Sequence, residues 1–321
     1  MLEVSPWDEI VVPNADFNVR QVRVDTIVPC FWGRDAFGSC LFIVELQGDH
    51  SSRYRKSMVT VKGVDVDLRA SDMGRQNLVL TLENHVNRDL FEGLCRSLVF
   101  ALKRATDSAS SLEISLAHIL RWKAFLSGRG VYLTADAVRG LFAELVFLEE
   151  LLYRGMPNHN AVEAWLGPER SHQDFIFGNT AVEIKSLSGK EKSSVRISSE
   201  DQLESVNDDL FLRIYRLNSI SDAQGARSLN ELISSVLAKL VDTKALEIFE
   251  RKLVAYGYAP LPDYDEPRFV ISDVNSYRVV DDFPRLIRSQ LPEGVTKVAY
   301  DIRLETIAEF ECNGMAIFRD I

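Results

Sequence analysis

A chain of 321 residues with 46% hydrophobic and 26% charged side chains has the make-up of a globular protein large enough for two domains. Its net charge of -10 argues against a protein that coats nucleic acid nonspecifically, because phosphate contacts are carried by Lys and Arg, but it leaves room for a local basic cleft. No run of eighteen apolar residues occurs, the N-terminal MLEVSPWDEI lacks the apolar stretch of a secretory leader, and Cys30, Cys40, Cys95 and Cys312 are scattered. A cytoplasmic protein without membrane span, zinc site or disulfide framework is expected.

Residues 19–83 read as strands. Val22–Val28 and Val59–Val66 alternate apolar and polar residues, Cys40–Leu46 is a continuous apolar run, Asn77–Leu82 is a further strand, and Gly33, Gly38, Gly48 and Gly74 suit turns. Helical spacing starts near Arg88, with Leu90, Leu94, Leu98 and Ala101 on one face, and resumes from Ser111 to Leu126. Ser127-Gly-Arg-Gly130 marks the main boundary. A long amphipathic helix follows over Ala135–Arg154, stopped by Gly155 and Pro157. Ala161–Leu166, Phe175–Phe177, Ala181–Leu187 and Val195–Ser198 read as short segments, mostly strands. A helix begins near Glu200, Leu210–Leu217 is a strand, and Leu229–Tyr256 is one or two helices. Arg268–Val274 is extended, Phe283–Gln290 helical, and strands return from Thr296. The expectation is a β-rich N-terminal domain over 1–87, a helical connector over 88–130 and an α/β domain over 131–321.

The segment that carries chemistry runs from Trp165 to Ser186. Glu183 and Lys185 are two apart in a strand and so share a face, with Val182 and Ile184 on the other. A carboxylate and an ammonium on a half-buried strand are costly unless something compensates. Asp174 precedes the strand Phe175–Phe177, and the Gly178-Asn179 turn returns the chain beside it, so that three charged groups converge. Magnesium takes oxygen ligands and keeps several waters, so one or two carboxylates suffice, and a neighbouring lysine orients water or neutralises developing charge. The plain alternative is an exposed, ion-paired hairpin.

Asp174, then Glu183-Ile-Lys185-Ser186, then Ile197-Ser-Ser-Glu-Asp-Gln202-Leu203, resembles the PD-(D/E)XK superfamily of restriction-endonuclease-like nucleases. More narrowly the chain resembles uncharacterised bacterial PD-(D/E)XK motif proteins of phage-defence or restriction operons, with Tyr277–Arg285 and Leu291-Pro-Glu-Gly294-Val also similar. The resemblance implies an α/β, restriction-endonuclease-like core, a mixed central sheet flanked by helices, in residues 131–321. It implies a Mg2+-dependent endodeoxyribonuclease, with Mn2+ able to substitute, acting on DNA beside helicase/ATPase or methyltransferase partners. The alternative is a catalytically weak or inactive binding subunit of a defence complex. Asp174 and Glu183 correspond to the metal-binding acids and Lys185 to the motif lysine; Gln173 stands where the naming proline would be. The helix before the core strands often supplies a further acid in this superfamily, which nominates Glu144, and Gln202 resembles the polar residue carried on the helix after them.

Each nomination has a plainer reading. Glu144, bracketed by Leu141, Leu148 and Leu151, is a metal ligand or an acid at the edge of a buried stripe reaching solvent. Gln202 touches substrate or closes a capping box with Ser199. Ser186 donates near a scissile phosphate or merely ends a strand. Lys190, Lys192 and Arg196 track a DNA backbone or form a solvated hairpin tip. His172 shuttles a proton or is an isolated loop histidine, and Arg53, Arg55 and Lys56 form a small basic group in the N-terminal strand region. Paired cuts in a duplex need two sites, so a homodimer is compatible, although nothing in the chain requires one.

Overall fold

The computed structural model describes residues 5–57, 61, 63–83, 87–124, 133–169, 171–189, 193–220, 223–319 and 321, apart from the side chains of residues 121 and 124. The chain divides into two compact units, residues 1–132 with 259–261, and residues 133–258 with 262–321.

Unit 1 is built on a five-stranded antiparallel sheet: β1 (Phe17–Gln21), β2 (Cys30–Asp35), β3 (Cys40–Gln47), β4 (Val64–Ser71) and β5 (Arg75–Leu82), in the order β1-β2-β3-β5-β4. The apolar run of β3 is buried from Cys40 to Val44. Trp7 donates its indole N–H to the Leu41 carbonyl at 2.8 Å and stacks on Phe91 of helix α2 (Arg88–Leu102). Helix α3 (Ser108–Ala124) packs on α2 and β3, so the helical segment expected as a connector belongs to this unit. The expected strand Val22–Val28 does not form. Its alternation has no sheet partner: Val24 and Ile27 are exposed, and the segment closes on itself through Val24 N–H to Val22 C=O. Of the expected strand Val59–Val66, β4 takes only the end; residues 58–60 and 62 lie outside the described residues. The basic group Arg53, Arg55 and Lys56 lies on a short helix, α1 (Ser51–Lys56), with Arg53 paired to Glu113.

Unit 2 centres on a mixed sheet of β6 (Phe175–Phe177), β7 (Thr180–Ser188), β9 (Asp209–Ser219) and β10 (Phe269–Arg278), in the order β10-β9-β7-β6. Only the β7–β9 pairing is parallel. Helix α4 (Ala135–Tyr153) lies against β7 and starts at Thr134, whose hydroxyl accepts from Ala137 N–H. The other face carries Ala181, Leu187, Leu210, Leu212 and Ile214 into a core with Val195, Ile197 and Ile307. This core holds the two-stranded ribbon of β8 (Ser194–Ile197) and β11 (Tyr300–Arg303). Burying each such aliphatic side chain contributes about 1.5–3 kcal/mol. β7 is thus covered on both faces, not half-buried. Helices α6 (Leu229–Lys239) and α7 (Thr243–Tyr256) follow β9.

Three expected elements change type. Residues Asn158–Ala164 form helix α5, whose buried Ala161 and Ala164 lie one turn apart; so short an apolar run fits either period. No helix follows Glu200. The Gln173 side-chain amide instead takes the carbonyls of Asp201, Gln202 and Glu204, which helical bonds would need, and residues 200–203 form consecutive turns. Of Phe283–Gln290 only Arg288–Gln290 is helical, as a 3-10 turn, because side chains take the main-chain N–H groups that a helix would use: Leu286 N–H donates to the Tyr300 hydroxyl and Arg288 N–H to Glu204. Among the described residues no helix is long and apolar enough to cross a membrane.

Candidate metal and nucleic-acid site

Strand β6 begins at Phe175, and just before it the Asp174 carboxylate takes over its place at the edge of β7: Oδ2 accepts from Ile184 N–H at 2.8 Å. The Gly178-Asn179 turn that makes this possible has Gly178 at φ 53°, a conformation glycine adopts without a Cβ penalty. On β7, Glu183 is 1% exposed and Lys185 15% exposed, with Nζ 2.7 Å from Glu183 Oε1. Among the described residues the ammonium is the one partner of Oε1, and Oε2 is buried without a hydrogen bond. An exposed, ion-paired hairpin does not describe these groups.

Gln202, on the turn that replaces the expected helix, points its Oε1 at the same lysine and accepts from Lys185 Nζ at 3.1 Å and from Ser198 N–H at 2.7 Å. The capping-box alternative falls with the helix. Gln173 fastens this turn through its three carbonyl contacts, so the residue standing where the motif proline would be has a structural task.

Glu144 projects from α4 and is buried, not turned to solvent. Its Oε2 accepts from the Trp165 indole N–H at 2.7 Å and its Oε1 from the Tyr256 hydroxyl at 3.0 Å. The loop after Trp165 passes over it so closely that a Cβ at Gly167 would collide with Glu144 Oε2 and lie 3.2 Å from Asp174 Oδ1. Glu144 and Asp174 therefore face each other across a point that only glycine leaves open.

Burial raises the Glu144 carboxyl well above the usual range, with Asp174 adding to the effect. Burial raises Asp174 despite Lys185. Burial and then Asp174 push Glu183 up to about 8. Burial works against the Lys185 ammonium, but Glu183 and Asp174 outweigh it and hold that group above its ordinary value. Carboxyl groups whose ionisation is opposed by burial and by one another give up their protons when a cation binds beside them.

Among the described residues no three Asp, Glu, His or Cys side chains come together closely enough to hold a metal ion between them. Of the expected set, Asp174 lies close to both other acids, beside Glu183 and across Gly167 from Glu144. What fits a hard divalent cation is the Glu183 carboxylate, whose Oε2 has no hydrogen bond among the described residues, beside Asp174, with water completing the shell, as Mg2+ tolerates.

These groups line a cleft of about 590 Å³. Ser186 and Arg196 line it too, Arg196 from β8 and paired with Asp301 at 3.2 Å. Lys190 and Lys192 lie outside the described residues. His172 is exposed, with Nδ1 3.7 Å from Asp201 Oδ2, beside the turn and not among the cleft residues. Sequence reading missed Arg139, which lines the cleft from α4, and Trp165, Gly167 and Tyr256 around Glu144. The one local signal was Gly167 beside a tryptophan seven residues before Asp174; nothing in the spacing pointed to Tyr256.

No curated protein and no solved structure matches the chain. A family model matches residues 4–305. The chain thus belongs to the family described as "Putative PD-(D/E)XK family member, (DUF4420)".

Proposed function

We propose that this chain is an endodeoxyribonuclease that hydrolyses DNA phosphodiester bonds with a divalent cation, Mg2+ by preference and Mn2+ as a substitute. One observation carries the reading. A carboxylate buried to 1% exposure is ion-paired to Lys185 through Oε1 alone, its Oε2 has no hydrogen bond among the described residues, and it stands beside a second carboxylate at the bottom of an open cleft. A fold does not bury an unsatisfied charge without compensation.

Glu183 and Asp174 hold the cation, which when bound lowers the pKa of water and stabilises charge on phosphoryl oxygens. Asp174 is kept in place by the Ile184 N–H. Lys185, steadied between Glu183 and Gln202, presents an ammonium to the attacking water or to the developing charge on the phosphate. Glu144 faces Asp174 across Gly167 and adds to the negative field at the site. Arg196, Arg139 and Ser186, along the cleft, contact the DNA backbone, where such contacts fix register without reading sequence. The setting we propose, on the strength of the sequence resemblance, is a restriction or phage-defence system with helicase or methyltransferase partners.

A second reading, a nuclease fold kept as a binding subunit, is compatible with the net charge of -10. Plasmid nicking with Mg2+ or Mn2+ separates the two. Wild type is expected to nick, and Asp174→Ala and Lys185→Ala to lose cleavage while retaining the fold by circular dichroism. Retained metal-dependent cleavage in both variants would overturn the assignment.

A further inference from the structure

Helix α7 lies outside the motif, yet one of its faces is built around Glu144. Phe249, Lys252 and Tyr256 recur at helical spacing and meet Trp165, whose ring is 5.8 Å from that of Phe249 and stacks at 6.4 Å on that of Tyr256. Trp165 is fully buried. Its indole N–H goes to Glu144 Oε2, and the Tyr256 hydroxyl goes to Glu144 Oε1.

Lys252 secures the same loop from below. It is 3% exposed, and its ammonium donates to the Trp165 carbonyl and to the Glu163 carbonyl and pairs with Glu169 at 3.2 Å. Burying a lysine to bind main-chain carbonyls is costly, and the return is a fixed loop. Two glycines leave the room required. Gly140, one turn before Glu144 on α4, would put a Cβ 3.3 Å from the Tyr256 hydroxyl, and Gly167 would put one against Glu144 itself.

A solvated surface acid would need none of this. Both donors are aromatic, large and slow to reorient, and each is held by further contacts. The carboxylate they grip faces Asp174. We propose that Tyr256 and Trp165 are positioning residues that orient Glu144 toward the divalent-cation centre, with Lys252 fastening the loop that carries Trp165. This rests on the reading of Asp174 and Glu183 as the cation's ligands. Hydrogen bonds that orient groups around a metal are worth about 10–100-fold in affinity when removed.

The test is Mn2+ titration of the full chain by calorimetry, without DNA, for wild type, Tyr256→Phe, Trp165→Phe and Glu183→Gln, with thermal denaturation in EDTA alongside. Tyr256→Phe removes one hydroxyl and keeps the ring. The expected result is a loss of Mn2+ affinity of about tenfold or more in both aromatic variants, with EDTA melting curves close to wild type in Tyr256→Phe. Wild-type affinity in both aromatic variants, with Glu183→Gln weakened, would overturn the proposal and leave the cation site standing. A lowered melting temperature with unchanged affinity would also overturn it, since a purely structural role predicts that. A wild type that takes up no Mn2+, or binds it as well as Glu183→Gln does, would instead sink the cation reading and the positioning role with it.

Discussion

Replacing Glu183 by Gln removes one titrating charge from the bottom of the cleft and preserves its shape. The Glu183 carboxyl is pushed up to about 8 from an ordinary 4.5, by burial first and by Asp174 second. Because the folded-state value lies above the unfolded one, the folded protein keeps the proton between 4.5 and about 8 while the unfolded chain has released it. The contribution of this group to stability is complete below the lower value and lost as pH rises through the upper one. The loss runs at about 1.4 kcal/mol per pH unit and reaches about 5 kcal/mol over the window. Glu144 and Asp174, also raised, act in the same direction. Metal-free wild type should therefore lose stability steadily from about pH 5 to about pH 8, and Glu183→Gln should lose it less steeply by up to about 1.4 kcal/mol per unit. Mg2+ should restore wild type near pH 8, where the carboxylates are free of protons, and should help the variant far less. Urea unfolding followed by circular dichroism at successive pH values, in EDTA and in Mg2+, measures both slopes. Coincident slopes for the two proteins, or equal stabilisation of both by Mg2+, would refute the reasoning.

Three further outcomes follow from the same geometry. Gly167→Ala places a methyl group against Glu144 Oε2, which Trp165 and Tyr256 prevent from moving aside; the melting curve should show a loss of about 1–3 kcal/mol and Mn2+ titration a weaker site. Unchanged values in both would mean that the loop moves freely. Gln173→Pro restores the literal motif, yet it should slow plasmid nicking, because the carbonyls of Asp201, Gln202 and Glu204 lose their shared donor and Gln202 loses its place on Lys185. A faster enzyme would show that the turn needs no such fastening. Arg196→Ala should weaken DNA binding equally across sequences and lower the slope of log affinity against log salt by about one, read by fluorescence anisotropy. An unchanged slope would place Arg196 off the DNA path.

The local pattern of the site was legible before any coordinates. Glu183 and Lys185 are two residues apart, and a strand places such residues on one face whatever surrounds it; the Gly178-Asn179 turn then fixes Asp174 beside them. The long helix over Ala135–Arg154 and the strands at Cys40, Asn77 and Leu210 were legible for the same reason: a period repeated over many residues leaves little choice. Short or crowded segments were not. Val22–Val28 alternates like a strand but has no partner to pair with, and the turn after Glu200 is decided by the Gln173 side chain, nearly thirty residues away.

The sequence by itself determined which charged groups would meet on β7, because that depends only on the strand's own geometry. The tertiary structure alone decided how they are held and how deeply they are buried. Glu144 is gripped by Trp165 and by Tyr256 from a helix more than a hundred residues further on, and no spacing rule links groups that only packing brings together. Burial is likewise a property of everything laid over the strand, so the buried Glu183 carboxylate, on which the functional reading turns, exists only once the sheet is covered on both sides.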